Sequence, residues 1–206
     1  MSIHCNLTNR SYLKLILSAA CVVLLYGCAG TDFVRQGAES ISLGKTTQAE
    51  IMKKMGKPYR SGTIDKNGKS FPFHAYSYAN TTGEPLYKGV VPARTQSFTF
   101  DKDVLVGNEF IRSFKADGTD FDETKVAQIE KGKSTKANVI QVFGQPGGEY
   151  IYPLVAKENE RALVYQFMQA KGNAFNMRFY QKSLIVTYDA SEVISNVEYT
   201  ASGTKE

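Results

Sequence analysis

Two segments of the chain carry apolar residues at helical spacing. In each segment three apolar side chains recur at intervals that place them on one stripe of a helix. These are Ile51, Met52 and Met55 in the first segment, and Val139, Ile140 and Phe143 in the second. The pattern predicts two short amphipathic helices that pack one face against a core.

Both predicted helices carry signals for their ends. Thr47, with Glu50 three residues later, forms a capping box in which each side chain satisfies a free backbone N–H of the first turn. Thr135 occupies the same position in the second segment, without the glutamate. Gly56 and Gly144 suit the left-handed residue that follows a helix, and a proline two positions later prevents continuation.

Aromatic and β-branched residues follow each helix and indicate strands. Period-two alternation is clear in Gln96-Phe98-Phe100 and in Leu184-Val186-Tyr188. We predict strands over residues 70–79, 96–100, 104–114, 161–169, 184–188 and 192–199. A further short helix is predicted before each capped helix, over residues 33–39 and 122–130. Asp101 and Asp189 stand between consecutive strands, where an aspartate side chain usually caps a turn.

The pattern of helix and strand motifs occurs twice in the chain. Residues 41–58 and 129–146 are identical at seven of eighteen positions at a constant offset of 88, and the same offset aligns residues 98–101 with 186–189. We therefore expect an α+β protein of two tandem repeats, over residues 41–118 and 119–206. Each repeat is predicted to be a helix-loop-helix packed on a three- to four-stranded antiparallel sheet.

The first 27 residues resemble a bacterial lipoprotein signal. Arg10 and Lys14 precede an uncharged run over residues 15–26, which is too short for the roughly 20 residues of a membrane-spanning helix. The run ends in Leu-Tyr-Gly before Cys28, similar to a lipobox. The resemblance implies cleavage before Cys28, lipid on that residue and a tether over residues 28–40. Ala29 favours the outer membrane. An ordinary signal peptide with an incidental cysteine is the alternative.

Few cysteine and histidine side chains remain for catalysis or metal binding once the predicted signal is removed. The 206 residues hold three Cys and two His at a net charge of +5, but the mature chain keeps only Cys28 and His74 and a charge of +3. It can form no internal disulfide. A lone histidine lacks the partners that acid–base or metal chemistry usually needs. We expect no enzyme, no metal, no cofactor and no nucleic-acid partner.

The helix and strand motifs resemble the SmpA/OmlA/BamE outer-membrane lipoproteins. The resemblance rests on a glycine and a hydroxyl residue before the helix, Gly-x-Pro after it, and a later strand that ends in an aromatic residue and aspartate. The duplicated pattern also resembles the tandem fold of the β-lactamase inhibitory protein. The resemblance implies a two-layer fold and a binding role, since the shared motifs are structural rather than catalytic.

Two long connections between strands are the candidate contact surface. Residues 80–94 and 169–182 interleave aromatic and aliphatic residues with cations, a composition that suits a protein partner or an anionic lipid headgroup. The candidate contact residues are Tyr87, Lys88, Arg94, Phe175, Arg178 and Phe179. The alternative is that these residues fold back on their own sheet or lengthen its strands.

These observations predict a non-enzymatic lipoprotein anchored on the periplasmic face of the outer membrane. It would act as a scaffold or accessory in envelope assembly and bind outer-membrane or periplasmic proteins. An inhibitor or ligand-binding module that uses the concave surface of two tandem sheets is the alternative.

Overall fold

The computed structural model describes residues 30–173 and 175–204. In chain order its elements are α1 (Gln48–Met55), β1 (Arg60–Lys66), β2 (Lys69–Ala79), β3 (Ala93–Asp101), β4 (Val104–Arg112), a 3₁₀ helix (Glu123–Gln128), α2 (Lys136–Phe143), β5 (Gly148–Ile151), β6 (Arg161–Lys171), β7 (Arg178–Tyr188) and β8 (Ile194–Gly203). Cys28 and the predicted signal over residues 1–27 lie outside the described residues. No helix in the described ranges is long and apolar enough to cross a membrane.

All eight strands belong to one antiparallel sheet in the order β1 to β8, with every strand paired to its neighbour in sequence. The sheet is curled, so that its two edge strands approach each other: Lys66 Nζ on β1 lies 3.5 Å from Glu198 Oε2 on β8. The predicted fold, two helix-loop-helix repeats each on its own small sheet, is therefore wrong.

The sheet is continuous because two glycines let β5 pair with β4. Gly107 and Asn108 of β4 face Tyr150 and Glu149 of β5. A Cβ on Gly148 would lie only 2.0 Å from the Asn108 carbonyl oxygen. Only glycine permits such a close approach, so the strands of the first and second halves join into one sheet here.

The two α-helices pack on the convex face of the sheet, with their predicted ends confirmed. Thr47 and Glu50 form the capping box of α1, and in α2 Asn138 takes the part of the glutamate opposite Thr135. Gly56 and Gly144 follow the helices with φ of 76° and 79°. Each glycine carbonyl accepts a hydrogen bond from a tyrosine of the sheet, at 3.0 Å from Tyr76 and 2.8 Å from Tyr165. These bonds fix the helix ends to the sheet.

The two additional helices predicted before α1 and α2 do not form as expected. Residues 33–37 are not helical and only a turn follows at 38–40. The buried amide of Gln96 accepts from the Gln36 N–H at 2.9 Å and donates to the Gln36 carbonyl at 2.7 Å. These bonds replace the hydrogen bonds of a helix and hold the segment against the convex face. Before α2, Asp122 caps a short 3₁₀ helix instead.

Candidate binding site: the concave trough

Alternation along the strands places one row of polar side chains inside the curl. On β6, Val164 and Gln166 point to the concave face, two positions apart. Gln166 pairs with Ser183 of β7, which pairs with Thr200 of β8. We call the end of the sheet where β2 begins the lower end, and the end where β2 finishes the upper end. Apolar residues line the concave face toward the lower end, and polar residues line it toward the upper end.

The lower half of the concave face is filled by the protein itself. The connection between β5 and β6 folds inward, and Leu154 is fully buried against Phe71, Tyr150 and Val164. Asn67 holds this connection in place by donating from Nδ2 to the carbonyls of residues 153 and 154, at 2.9 and 3.2 Å. This half is a hydrophobic core and has no room for a ligand.

The upper half is an open cavity of about 320 Å³. We call it the trough, and define it by the concave-facing side chains of Glu109, Ile111, Gln166, Met168, Ser183 and Thr200. Most of these line the cavity directly, together with Gln181 and Ser202. Met168 is 38% exposed, and Thr200 and Ser202 are exposed as well. Ligand sites combine apolar side chains with polar groups that fix orientation, and in the trough the polar groups predominate.

Glu109 is the ionisable group among the concave-facing side chains that define the trough, and it lies beside the cavity-lining Gln166. Its carboxyl group hydrogen-bonds to Gln166, and burial raises its pKa to about 7, although the Gln166 bond and the charge of Lys66 act in the opposite direction. Lys66 itself is engaged with Glu198. The carboxylate therefore lacks a close counter-ion within the described chain, and a hydrogen-bond donor or a cation from outside would stabilise its charged form.

His74 and Asp189, two candidate chemical groups of the sequence, make structural contacts. No group of three His, Cys, Asp or Glu in the described ranges could hold a metal ion. His74 is buried, with Nδ1 at 2.8 Å from the Ser61 hydroxyl and its ring edge against Phe100. Asp189 caps the turn before β8 by accepting from the backbone of Ser191 at 2.8 Å, as predicted.

Two of the predicted contact residues are built into the structure. The Tyr87 hydroxyl donates to the Asp120 carboxylate, which raises the pKa of Tyr87 to about 12, and its ring meets Phe167 edge-on. Arg94 lies over the rings of Phe33 and Tyr78 and pairs with Asp32. Both side chains hold the fold together, although Tyr87 keeps one exposed flank.

The remaining contact residues are exposed at the upper end. Phe175 is fully exposed, Phe179 is 60% exposed, and Lys88 and Arg178 are exposed as well. The two connections that carry them come together, since Val91 N donates to the Ala170 carbonyl at 2.8 Å. The structure thus brings the predicted loops to one end of the sheet, the end at which the trough opens.

A buried ion cluster ties the linker between the halves to the sheet. The Lys182 side chain is 1% exposed, and its Nζ lies 2.7 Å from Asp120 Oδ1. It also pairs with Glu123 and donates to the Phe121 carbonyl. A buried ammonium needs such partners to offset its desolvation. Lys182 is therefore a structural residue, although the sequence places it beside the exposed contact residues.

Comparisons with known proteins give no relatives for this chain. No family model matches it, and neither the curated proteins nor the solved structures include a match. Membership of the SmpA/OmlA/BamE family, lipidation of Cys28 and the division into residues 41–118 and 119–206 stay predictions.

Proposed function

We propose that this chain is a lipid-anchored, non-enzymatic binding protein of the outer-membrane periplasmic face, and that its trough captures a segment of another protein. The observation that carries the proposal is Glu109, a half-buried carboxyl group on the concave face whose hydrogen-bond partner Gln166 lines an open cavity. Folded proteins rarely keep such a group without a partner, because its charge is costly to desolvate. Functional sites are where such costs are retained.

The chemistry of the trough indicates what the captured segment carries. A lysine or arginine side chain would form charge-assisted hydrogen bonds with Glu109, and Gln166, Ser183 and Thr200 would pair with polar groups of its backbone. Ile111 and Met168 offer apolar contact beside them. A cavity of about 320 Å³ suits one or two side chains of a larger partner.

Filling the trough should abolish capture without unfolding the chain. We expect Ser183→Phe to place a ring in the cavity and to remove the partner that co-purifies with the wild type from detergent-solubilised envelope. Ser191→Phe is the matched control, because it introduces the same ring in an exposed turn at the lower end. Equal recovery of the partner with both variants, at unchanged thermal unfolding, would show that the trough is not the binding site.

The identity of the captured protein decides between two roles. Recovery of outer-membrane barrel proteins or their assembly machinery would support a scaffold in envelope assembly. A soluble enzyme that loses activity when mixed with this chain would support the inhibitor alternative, which the concave cavity also accommodates. Both roles use the same surface.

A further inference from the structure

The hairpin between β6 and β7 ends in an exposed apolar tip. We define the hairpin tip as Phe175, Met177 and Phe179, whose side chains are 100%, 38% and 60% exposed. Nothing in the sheet requires them there, since polar residues would serve equally well in a solvated turn. Large apolar side chains clustered at a protrusion are typical of a surface that contacts a protein or a membrane.

The start of the described chain indicates which of the two it is. Gly30 forms a bridge with Tyr78, one residue before β2 finishes at the upper end. Cys28 precedes Gly30 by two residues, and two residues of extended chain span at most about 7 Å. A lipid on Cys28 would therefore hold the upper end against the membrane.

The same end carries the hairpin tip. The connection that follows β2 is joined to the end of β6 by a bridge between Val90 and Lys171. Gly30, two residues after the proposed attachment point, and the tip are thus on the same side of the molecule. A protein anchored through Cys28 would bring Phe175 to the bilayer surface without any change of shape.

The charges at this end match a membrane that contains anionic lipid. Lys88 is exposed in the connection that meets the base of the hairpin, and Lys171 and Arg178, which also have partners within the protein, stand at the two ends of the turn. The neighbouring acidic side chains are neutralised within the protein, because Glu84 pairs with Lys115 at 3.3 Å and Asp117 pairs with Arg112. Basic residues around exposed aromatic side chains form the usual pattern of interfacial membrane contact.

We propose that the hairpin tip inserts into the headgroup region of the phospholipid leaflet that holds the lipid on Cys28. The inference rests on the lipid anchor of the proposed function and adds a second membrane contact to it. Two contacts fix the orientation of the sheet, whereas an anchor alone leaves the protein free to rotate. The upper mouth of the trough then faces the membrane, where segments of outer-membrane proteins emerge.

Tryptophan fluorescence tests the insertion directly, because the chain contains no tryptophan. The full-length lipidated protein carrying Phe175→Trp is reconstituted into liposomes of phosphatidylethanolamine and phosphatidylglycerol. We expect a blue shift of its emission and quenching by brominated acyl chains. Tyr152→Trp is the matched control, because Tyr152 is an aromatic residue that is 38% exposed but lies at the lower end. The emission of this control should not change.

The possible outcomes test insertion of the hairpin tip and lipid anchoring separately. If the protein floats with the liposomes but Phe175→Trp is no more quenched than Tyr152→Trp, the anchor stands and the insertion is wrong. If the protein does not float, the anchor itself is wrong and the insertion falls with it. Adding Phe179→Ser to the Phe175→Trp variant should reduce the quenching, since it removes the second aromatic side chain of the tip.

Discussion

Glu109→Gln should stabilise the protein at neutral pH and leave its stability almost unchanged near pH 4.5. Burial raises the pKa of Glu109 from its ordinary value of 4.5 to about 7. Between these two values the folded chain holds a proton on Glu109 that the unfolded chain has released, so the wild type loses stability as the pH rises. Glutamine keeps the hydrogen bond to Gln166 and has no proton to lose.

The size of the effect follows from the width of that pH interval. At about 1.4 kcal/mol for each pH unit, the interval from 4.5 to about 7 corresponds to at most about 3.5 kcal/mol. The side chain keeps some contact with water, which lowers the cost of its charge. We therefore expect Glu109→Gln to gain about 1–3 kcal/mol in free energy of unfolding at pH 8.

Urea denaturation at pH 5, 6, 7 and 8 measures the difference between wild type and variant, so contributions common to both chains cancel. Glu198→Gln is the control, because it removes a carboxylate that is half exposed and paired with Lys66. That variant should lose less than about 1 kcal/mol at every pH. A Glu109→Gln variant that is less stable than the wild type at pH 8, or a difference independent of pH, would refute the reasoning.

Two further predictions concern the scaffold of the trough. Lys182→Met should cost about 3–5 kcal/mol in free energy of unfolding, because it leaves two carboxylates without their buried counter-charge. The control Lys133→Met, at a lysine that is 77% exposed, should cost less than about 1 kcal/mol. Equal urea midpoints for the two variants would contradict the burial of Lys182. Gly148→Ala should separate β5 from β4, since its Cβ would lie 2.0 Å from the Asn108 carbonyl oxygen; the loss should appear as faster amide hydrogen exchange in both strands, and unchanged protection would show that the close approach does not exist.

The helix ends could be predicted from the sequence because their chemistry is local. Thr47 and Thr135 cap helices that begin one residue later, and Gly56 and Gly144 end them. The same reasoning missed β1, whose residues Arg60–Lys66 are mostly polar and exposed, as suits an edge strand, and of which the aliphatic Ile64 packs against the core. It also missed β5, which has only four residues.

The continuity of the sheet depends on a contact that no local pattern reveals. Gly147 and Gly148 follow a proline and read as a turn, yet they form the point where β4 and β5 approach. The pairing of β4 with β5 joins residues about 40 positions apart. For this reason the sequence repeat predicted two separate sheets, whereas the fold has one continuous sheet.

The candidate site escaped sequence analysis for a related reason. Glu109 follows Asn108 in a mostly apolar strand, where nothing local distinguishes it, and its role depends on the register that places Gln166 beside it. The exposure of Phe175 follows from its place in a polar turn. The structural role of Tyr87 depends on Asp120, and that of Arg94 depends on Asp32. These aspartates approach their partners only in the folded chain.

Photo-cross-linking from the trough in living cells tests the central claim most directly. A photoreactive amino acid at position 202 would lie at the exposed rim of the trough without filling it, and the same amino acid at position 191 would lie in an exposed turn at the lower end. We predict that irradiation links position 202, and not position 191, to a protein segment that contains a lysine or arginine. Adducts of equal yield from both positions, or no protein adduct from position 202, would contradict the account.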